Sequence, residues 1–240
     1  MVKTAVVSGG TKGIGKGAVF QLLKDGFNVA TFSRDQKNID LLLKELRSSF
    51  DEKRFLVLKA DVSVEKDLER AVAETTKKFK TIDLLLNNAG FGYFEDCDKV
   101  DMNRFQEMIQ TNVVGVALLT RLVVPQMKAQ KSGLIINMAS ISGKRAFARG
   151  EFYSATKFAV MGFSEAIRNE LKEFGIKVCT LCPGMIKTDF FTEEELEKRR
   201  KTLGIKNPQM LDVQDINKII SIIANQSEHC DIQDLTVMPF

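Results

Sequence analysis

The chain has two tyrosines, Tyr93 and Tyr153, so any mechanism that needs a phenol as acid must choose between them. The segment Tyr153-Ser154-Ala155-Thr156-Lys157 reads as the opening of a helix. Residues four apart share a helical face, which sets an ammonium beside a phenol. A positive neighbour lowers a phenol pKa from about 10 towards working pH. Tyr153 would then serve as proton donor to a carbonyl, or as base towards an alcohol.

A second cluster is dense in glycine: Ser8-Gly9-Gly10-Thr11-Lys12-Gly13-Ile14-Gly15-Lys16-Gly17. Between a strand and a helix, such a turn lets backbone approach a phosphate, whose charge then meets the helix N-terminus. Gly10 to Lys16 fits the front of a nucleotide triphosphatase loop, but the next position must be Ser or Thr to hold magnesium, and it is Gly17. Gly13 to Ala18 fits the G-x-G-x-x-A of a dinucleotide loop. The second strand closes with Ser33-Arg34-Asp35. A free ribose 2′-hydroxyl calls for a carboxylate about twenty residues past the glycines, and a 2′-phosphate calls for arginine. Ser33, Arg34 and Lys12 favour NADP(H), while Asp35 points the other way.

Scarcity excludes other chemistry. The single histidine is His229, so a Ser-His-Asp hydrolase would have to use it, and a metal site with two histidines is ruled out. Cys179 and Cys182 spell C-T-L-C within a run that reads as a strand. Three residues apart on a strand, they point to opposite faces with Cα atoms about 10 Å apart, too far for a disulfide. With Cys97 and Cys230 they are expected to be reduced thiols.

The elements that must position these groups alternate from end to end. Strand-like runs fall at 3–7, 27–31, 55–58, 82–86, 134–138, 176–181 and 234–238, most of them apolar on successive residues. Amphipathic segments lie between them at 15–24, 38–50, 64–79, 101–128, 153–174 and 213–224. This order predicts an α/β fold: a Rossmann-like, doubly wound parallel sheet of about seven strands with helices on both faces. No linker or repeat divides residues 1–240, so a single domain is expected. The stretch 185–210 interrupts the rhythm at the C-terminal edge of the sheet, where a substrate lid would sit.

Composition agrees with a globular chain. Of the 240 residues, 44% are hydrophobic and 28% charged, close to the soluble average. The net charge is +4, and the charge run at 193–201 carries Glu194–Lys198, Glu195–Arg199 and Glu197–Lys201 at favourable spacing. That pattern fits a solvated helix and not a nucleic-acid patch. The longest apolar stretch, 112–125, is broken by Arg121 and is shorter than the roughly 18 residues of a membrane span. No basic-then-apolar leader precedes the first strand. The expectation is a cytoplasmic protein without nucleic-acid or membrane partners.

Taken in order, the motifs resemble those of the short-chain dehydrogenase/reductase family over residues 3–188. Ser8-Gly9-x-x-x-Gly13-x-Gly15 is similar to the family's glycine turn, with Ser in place of Thr. Asp61-Val62 matches the pair that contacts adenine, and Asn87-Asn88-Ala89-Gly90 the signature that closes the fourth strand. Asn112 and Ser140 stand where the family places the remaining members of a tetrad with Tyr153 and Lys157. Pro183-Gly184, with Ile186 and Thr188, matches the segment that holds the nicotinamide carboxamide.

The resemblance implies an NADP(H)-dependent carbonyl reductase or alcohol dehydrogenase. Ser140 would bind the substrate oxygen and Tyr153 would deliver the proton. Lys157 would tune Tyr153 and grip the nicotinamide ribose, and Asn112 would hold a water linking Lys157 to solvent. Helices at 101–128 and 153–174 would make a homodimer or homotetramer contact. Family members that reduce 3-oxoacyl groups on acyl carrier protein usually end near V-D-G-G, whereas this chain ends Leu235-Thr236-Val237-Met238-Pro239-Phe240. A small or carrier-bound carbonyl substrate remains open, as does a regulator that binds NADP(H) without turnover. The pocket positions are Phe91, Tyr93, Phe94, Ile141, Phe147, Phe152, Met185, Phe190 and Phe191, which suggest an apolar substrate body. Lys144, Arg145 and Arg149 could instead meet an anionic group.

Overall fold

Seven aliphatic runs become seven strands of one all-parallel sheet, seen in a computed structural model that describes residues 2–191, 193, 196–197 and 209–240. The strands are β1 (Thr4–Ser8), β2 (Asn28–Ser33), β3 (Phe55–Lys59), β4 (Leu84–Asn87), β5 (Gly133–Met138), β6 (Ile176–Pro183) and β7 (Asp234–Val237). Their order is β3-β2-β1-β4-β5-β6-β7, with every neighbouring pair parallel. The expected doubly wound sheet is therefore present.

Between the strands lie α1 (Gly13–Lys24), α2 (Gln36–Arg47), α3 (Glu65–Phe79), α4 (Met102–Ile109), α5 (Gly115–Gln130), α6 (Glu151–Leu171) and α7 (Val213–Ala224). Two apolar clusters form on opposite faces of the sheet. Alternate residues of each central strand enter one or the other: Ala5 and Val7 join Leu22 and Ile220, whereas Val6 joins Leu119 and Val123. Both faces are covered, which is why these strands read as unbroken apolar runs. Cys179 enters the first of these clusters and Cys182 a smaller third one with Ala139 and Val160; both are free thiols, and burial pushes the Cys179 thiol up to about 12.

Residues 102–130 differ from their sequence reading. The expected single helix is interrupted by one wide π turn, Gln110–Val114, in which Gly115 N–H donates to the carbonyl of Gln110. The stretch Met102–Gln130 contains an 18-residue window with a mean hydropathy of 1.4, long and apolar enough by length and composition to cross a bilayer. The apolar run at 112–125 did not suggest this. Here Leu119, Val123 and Met127 are fully buried against the sheet.

Strand order reverses between β1 and β4, because β1 connects outward to β2 while β4 continues the other way to β5. In an open α/β sheet a ligand crevice forms beyond the carboxyl ends of the strands at that switch.

Candidate active site

The switch point is held by polar groups from both strands. Ser8 Oγ accepts hydrogen bonds from Asn88 N and Ala89 N, each at 3.0 Å. In return, the Asn88 amide donates to the carbonyls of Ser8 and Gly9. The chain then turns through Gly9 and Gly13, whose φ values of +68° and +50° lie in the left-handed region that disfavours a side chain. Lys12 occupies the N-cap of α1 without a capping side-chain bond, which leaves the donor end of the helix to the cavity beside it.

That cavity has a volume of about 820 Å³. Gly9, Lys12, Gly13 and Ile14 line its floor at the glycine turn. Ser33, Arg34, Asp61 and Val62 line one end, and Asn88, Ala89 and Gly90 the middle. Ser140, Tyr153 and Lys157 stand at the other end, facing Pro183, Gly184, Met185, Ile186 and Thr188. Phe91, Phe94, Ile141, Phe147, Phe190 and Phe191 also reach it. Residues the sequence reading did not single out line it as well, among them Phe32, Thr111, Met138, Lys187 and Asp189.

Ser8, Thr11, Gly15 and Asn112 are buried and do not line the cavity; Ser8 positions Asn88 and Ala89, whose backbones do. Two expected pocket residues lie elsewhere. Phe152 packs edge-on against Phe105 of α4, with ring centroids 4.7 Å apart. Tyr93 Oη accepts from Asp101 N at 3.3 Å, ahead of α4. The expected lid at 185–210 lies partly outside the described residues, as do Glu194, Glu195, Lys198, Arg199 and Lys201 of the charge run.

At the chemical end, Ser140 closes the segment after β5, and its hydroxyl oxygen accepts from Ser142 N at 3.1 Å. Tyr153 is the third residue of α6 and 7% exposed. One turn on, Lys157 Nζ lies 5.7 Å from the centroid of the Tyr153 ring and donates to the carbonyl of Met138 at 2.8 Å. Removal from water lowers the Lys157 pKa to about 8. This amine, which loses its proton more readily than an ordinary lysine, stands beside the one buried phenol of the chain.

The Asn112 side chain is engaged within the protein. Its Oδ1 accepts from Phe91 N at 3.0 Å, while Nδ2 donates to Phe91 O at 2.8 Å and Thr156 Oγ1 at 3.2 Å. Thr156 Oγ1 in turn donates to the carbonyl of Tyr153 at 2.7 Å. The amide thus ties the segment after β4 to the turn of α6 that carries Tyr153.

Asp35 and Arg34 part company. Asp35 caps α2, with its carboxylate accepting from Asn38 N at 3.2 Å. Arg34 lines the cavity, 75% exposed, and lies 3.6 Å from Asp61. No carboxylate from position 35 reaches the cavity; a guanidinium from position 34 does. These residues fit a dinucleotide with a 2′-phosphate: turn backbone and helix N-terminus for the pyrophosphate, and Arg34, Ser33 and Lys12 for the extra phosphate.

The family model for short chain dehydrogenase matches residues 3–199. An NADP-dependent 3-hydroxy acid dehydrogenase of Schizosaccharomyces pombe is 32% identical, covering 99% of this chain and 92% of its own. A serine 3-dehydrogenase of Agrobacterium fabrum is 28% identical, covering 100% of this chain and 94% of its own. The solved structure of ElxO with NADP bound superposes with a TM-score of 0.86 at 28% identity, covering 99% of this chain and 98% of that one.

Proposed function

The chain belongs to the short chain dehydrogenase family, and on that premise we propose that it interconverts a carbonyl and an alcohol, with Tyr153 as acid and base. It is an NADP-dependent oxidoreductase. When bound, NADP(H) supplies or takes up the hydride.

The chain's own residues supply the rest. Ser140 orients the substrate oxygen by donating its hydroxyl proton. Tyr153 Oη gives its proton to that oxygen in reduction and takes it back in oxidation. The phenolate left after donation is stabilised by the Lys157 ammonium one turn away. Asn112 positions Tyr153 through Thr156, and Arg34 with Lys12 receives the 2′-phosphate.

One observation carries this reading. Tyr153 and Lys157 are buried together, a helical turn apart, in the same cavity as the glycine turn and Ser140. A regulator that only bound the nucleotide would have no need of a desolvated lysine beside a phenol.

The relatives named above act on a 3-hydroxy acid and on serine, so a hydroxy-acid substrate is a second reading. Arg145 and Lys187, cations on the cavity lining, favour it. Exposed apolar side chains on α4 and α6, Met102 and Phe158, support a homo-oligomer through those helices.

The test is a screen of NADPH consumption over ketones, 3-oxoacyl thioesters, 2-oxo acids, sugars and steroids, repeated with NADH. Turnover of at least one class, faster with NADPH, supports the proposal. Binding of NADPH with no turnover of any carbonyl would leave the regulator as the better reading.

A further inference from the structure

Phenylalanines from three separate segments converge on Tyr153. Phe94 follows β4, Phe147 precedes α6, and Phe190 and Phe191 follow β6. The Tyr153 ring meets Phe94 at 5.4 Å and Phe190 at 5.7 Å between centroids, both edge-on. Phe94 meets Phe191 at 5.0 Å and Phe147 at 6.0 Å, and Phe190 meets Phe191 at 5.1 Å. All four phenylalanines are half-buried and line the cavity. Edge-on and tilted ring pairs at such separations are favoured, and a further ring can pack against this wall in the same way.

The charges around this wall are engaged elsewhere or lie in water. Lys144 Nζ donates to Thr236 Oγ1 at 3.0 Å, and Arg149 pairs with Asp96 at 2.7 Å. Lys157 is bonded to Met138 O. Arg145 and Lys187 line the cavity from exposed positions, where an ion pair with a carboxylate contributes little. Asp189 lines it too and would repel an acid. A carboxylate placed among the rings would lose its hydration without gaining a buried partner.

We propose that the substrate carbonyl carries an aromatic, uncharged body that packs against Phe94 and Phe190, which makes the natural class aryl ketones and aldehydes and their alcohols. The proposal rests on the carbonyl–alcohol reading of Tyr153 given above. Reduction adds hydride to the carbonyl carbon and the Tyr153 proton to its oxygen, converting ketone to alcohol and NADPH to NADP+.

The experiment compares acetophenone, propiophenone and benzaldehyde with acetoacetate, using the full chain and NADPH. The expected result is a kcat/KM at least about tenfold higher for the aryl carbonyls, the discrimination that an apolar subsite ordinarily gives. Phe94→Ala and Phe190→Ala should raise KM for acetophenone about tenfold while the Kd of NADPH stays within about twofold. Phe94→Leu and Phe190→Leu provide the same comparison should the alanine variants fold poorly. Preference for acetoacetate, lost in Arg145→Ala, would overturn the aromatic class and leave the hydroxy-acid reading. If NADPH binds and neither aryl carbonyls nor acetoacetate nor any other carbonyl is reduced, the reading of Tyr153 itself falls.

Discussion

Lys157 Nζ donates to the carbonyl oxygen of Met138 at 2.8 Å, so the cation one turn beyond Tyr153 is anchored to the end of β5 and not to an acid. Desolvation lowers its pKa from 10.5 to about 8, against a smaller opposing influence of Cys182. Between those values the unfolded chain binds one more proton than the folded chain, so this group makes stability rise with pH across that window. Below about 8 the full cost of the buried charge is present. Lys157→Met removes the effect. Urea unfolding of the cofactor-free proteins should show the difference shifting in favour of the unaltered chain as pH rises from about 8 to about 10. A difference independent of pH would contradict the desolvation. Turnover of the variant should fall by about two orders of magnitude or more.

Arg34→Ala tests the cofactor end. The Arg34 guanidinium reaches the cavity, while Asp35 caps α2. The variant should raise KM for NADPH about tenfold, as loss of a charge-assisted phosphate contact does, and leave KM for NADH nearly unchanged. Equal loss with both cofactors would place the 2′-phosphate elsewhere.

Asn112→Ala separates positioning from a water relay. The amide bonds Phe91 N, Phe91 O and Thr156 Oγ1, and the residue is 1% exposed. Losing it strands buried groups, at a cost of about 2 kcal/mol or more in urea unfolding. kcat should fall with little change in KM for NADPH. Unchanged stability with lost turnover would favour the relay role over positioning.

The sheet and the glycine turn were readable because their physical demands are local. Strands covered on both faces are apolar on successive residues, and α7 falls on the expected residues 213–224. The π turn at Gln110–Val114 left no mark, because no proline or glycine falls within it. The partners of Asn112 lie 21 and 44 residues away in sequence, a distance that no spacing rule spans. The exclusion of Phe152 was within reach: neighbours on a helix do not share a face, so Tyr153 in the cavity turns Phe152 away from it. Likewise a carboxylate three residues before Asn38 is a helix-capping signal, and that is the use Asp35 serves.

Gly17→Ser tests the triphosphatase alternative. A side chain at this position would collide with Asn217 of α7, so Gly17 serves helix packing. The substitution completes the G-x-x-x-x-G-K-S pattern, yet it should lower stability by about 1–3 kcal/mol and confer no magnesium-dependent ATP binding. Tight ATP binding by the variant would contradict this assignment of the turn.

The most direct test is Tyr153→Phe, which removes one oxygen and keeps the ring against Phe94 and Phe190. NADPH titration should give a Kd within about twofold of the unaltered chain, while carbonyl reduction falls by about 10² to 10⁴. Reduction at an undiminished rate would show that the proton comes from another group and would overturn the account.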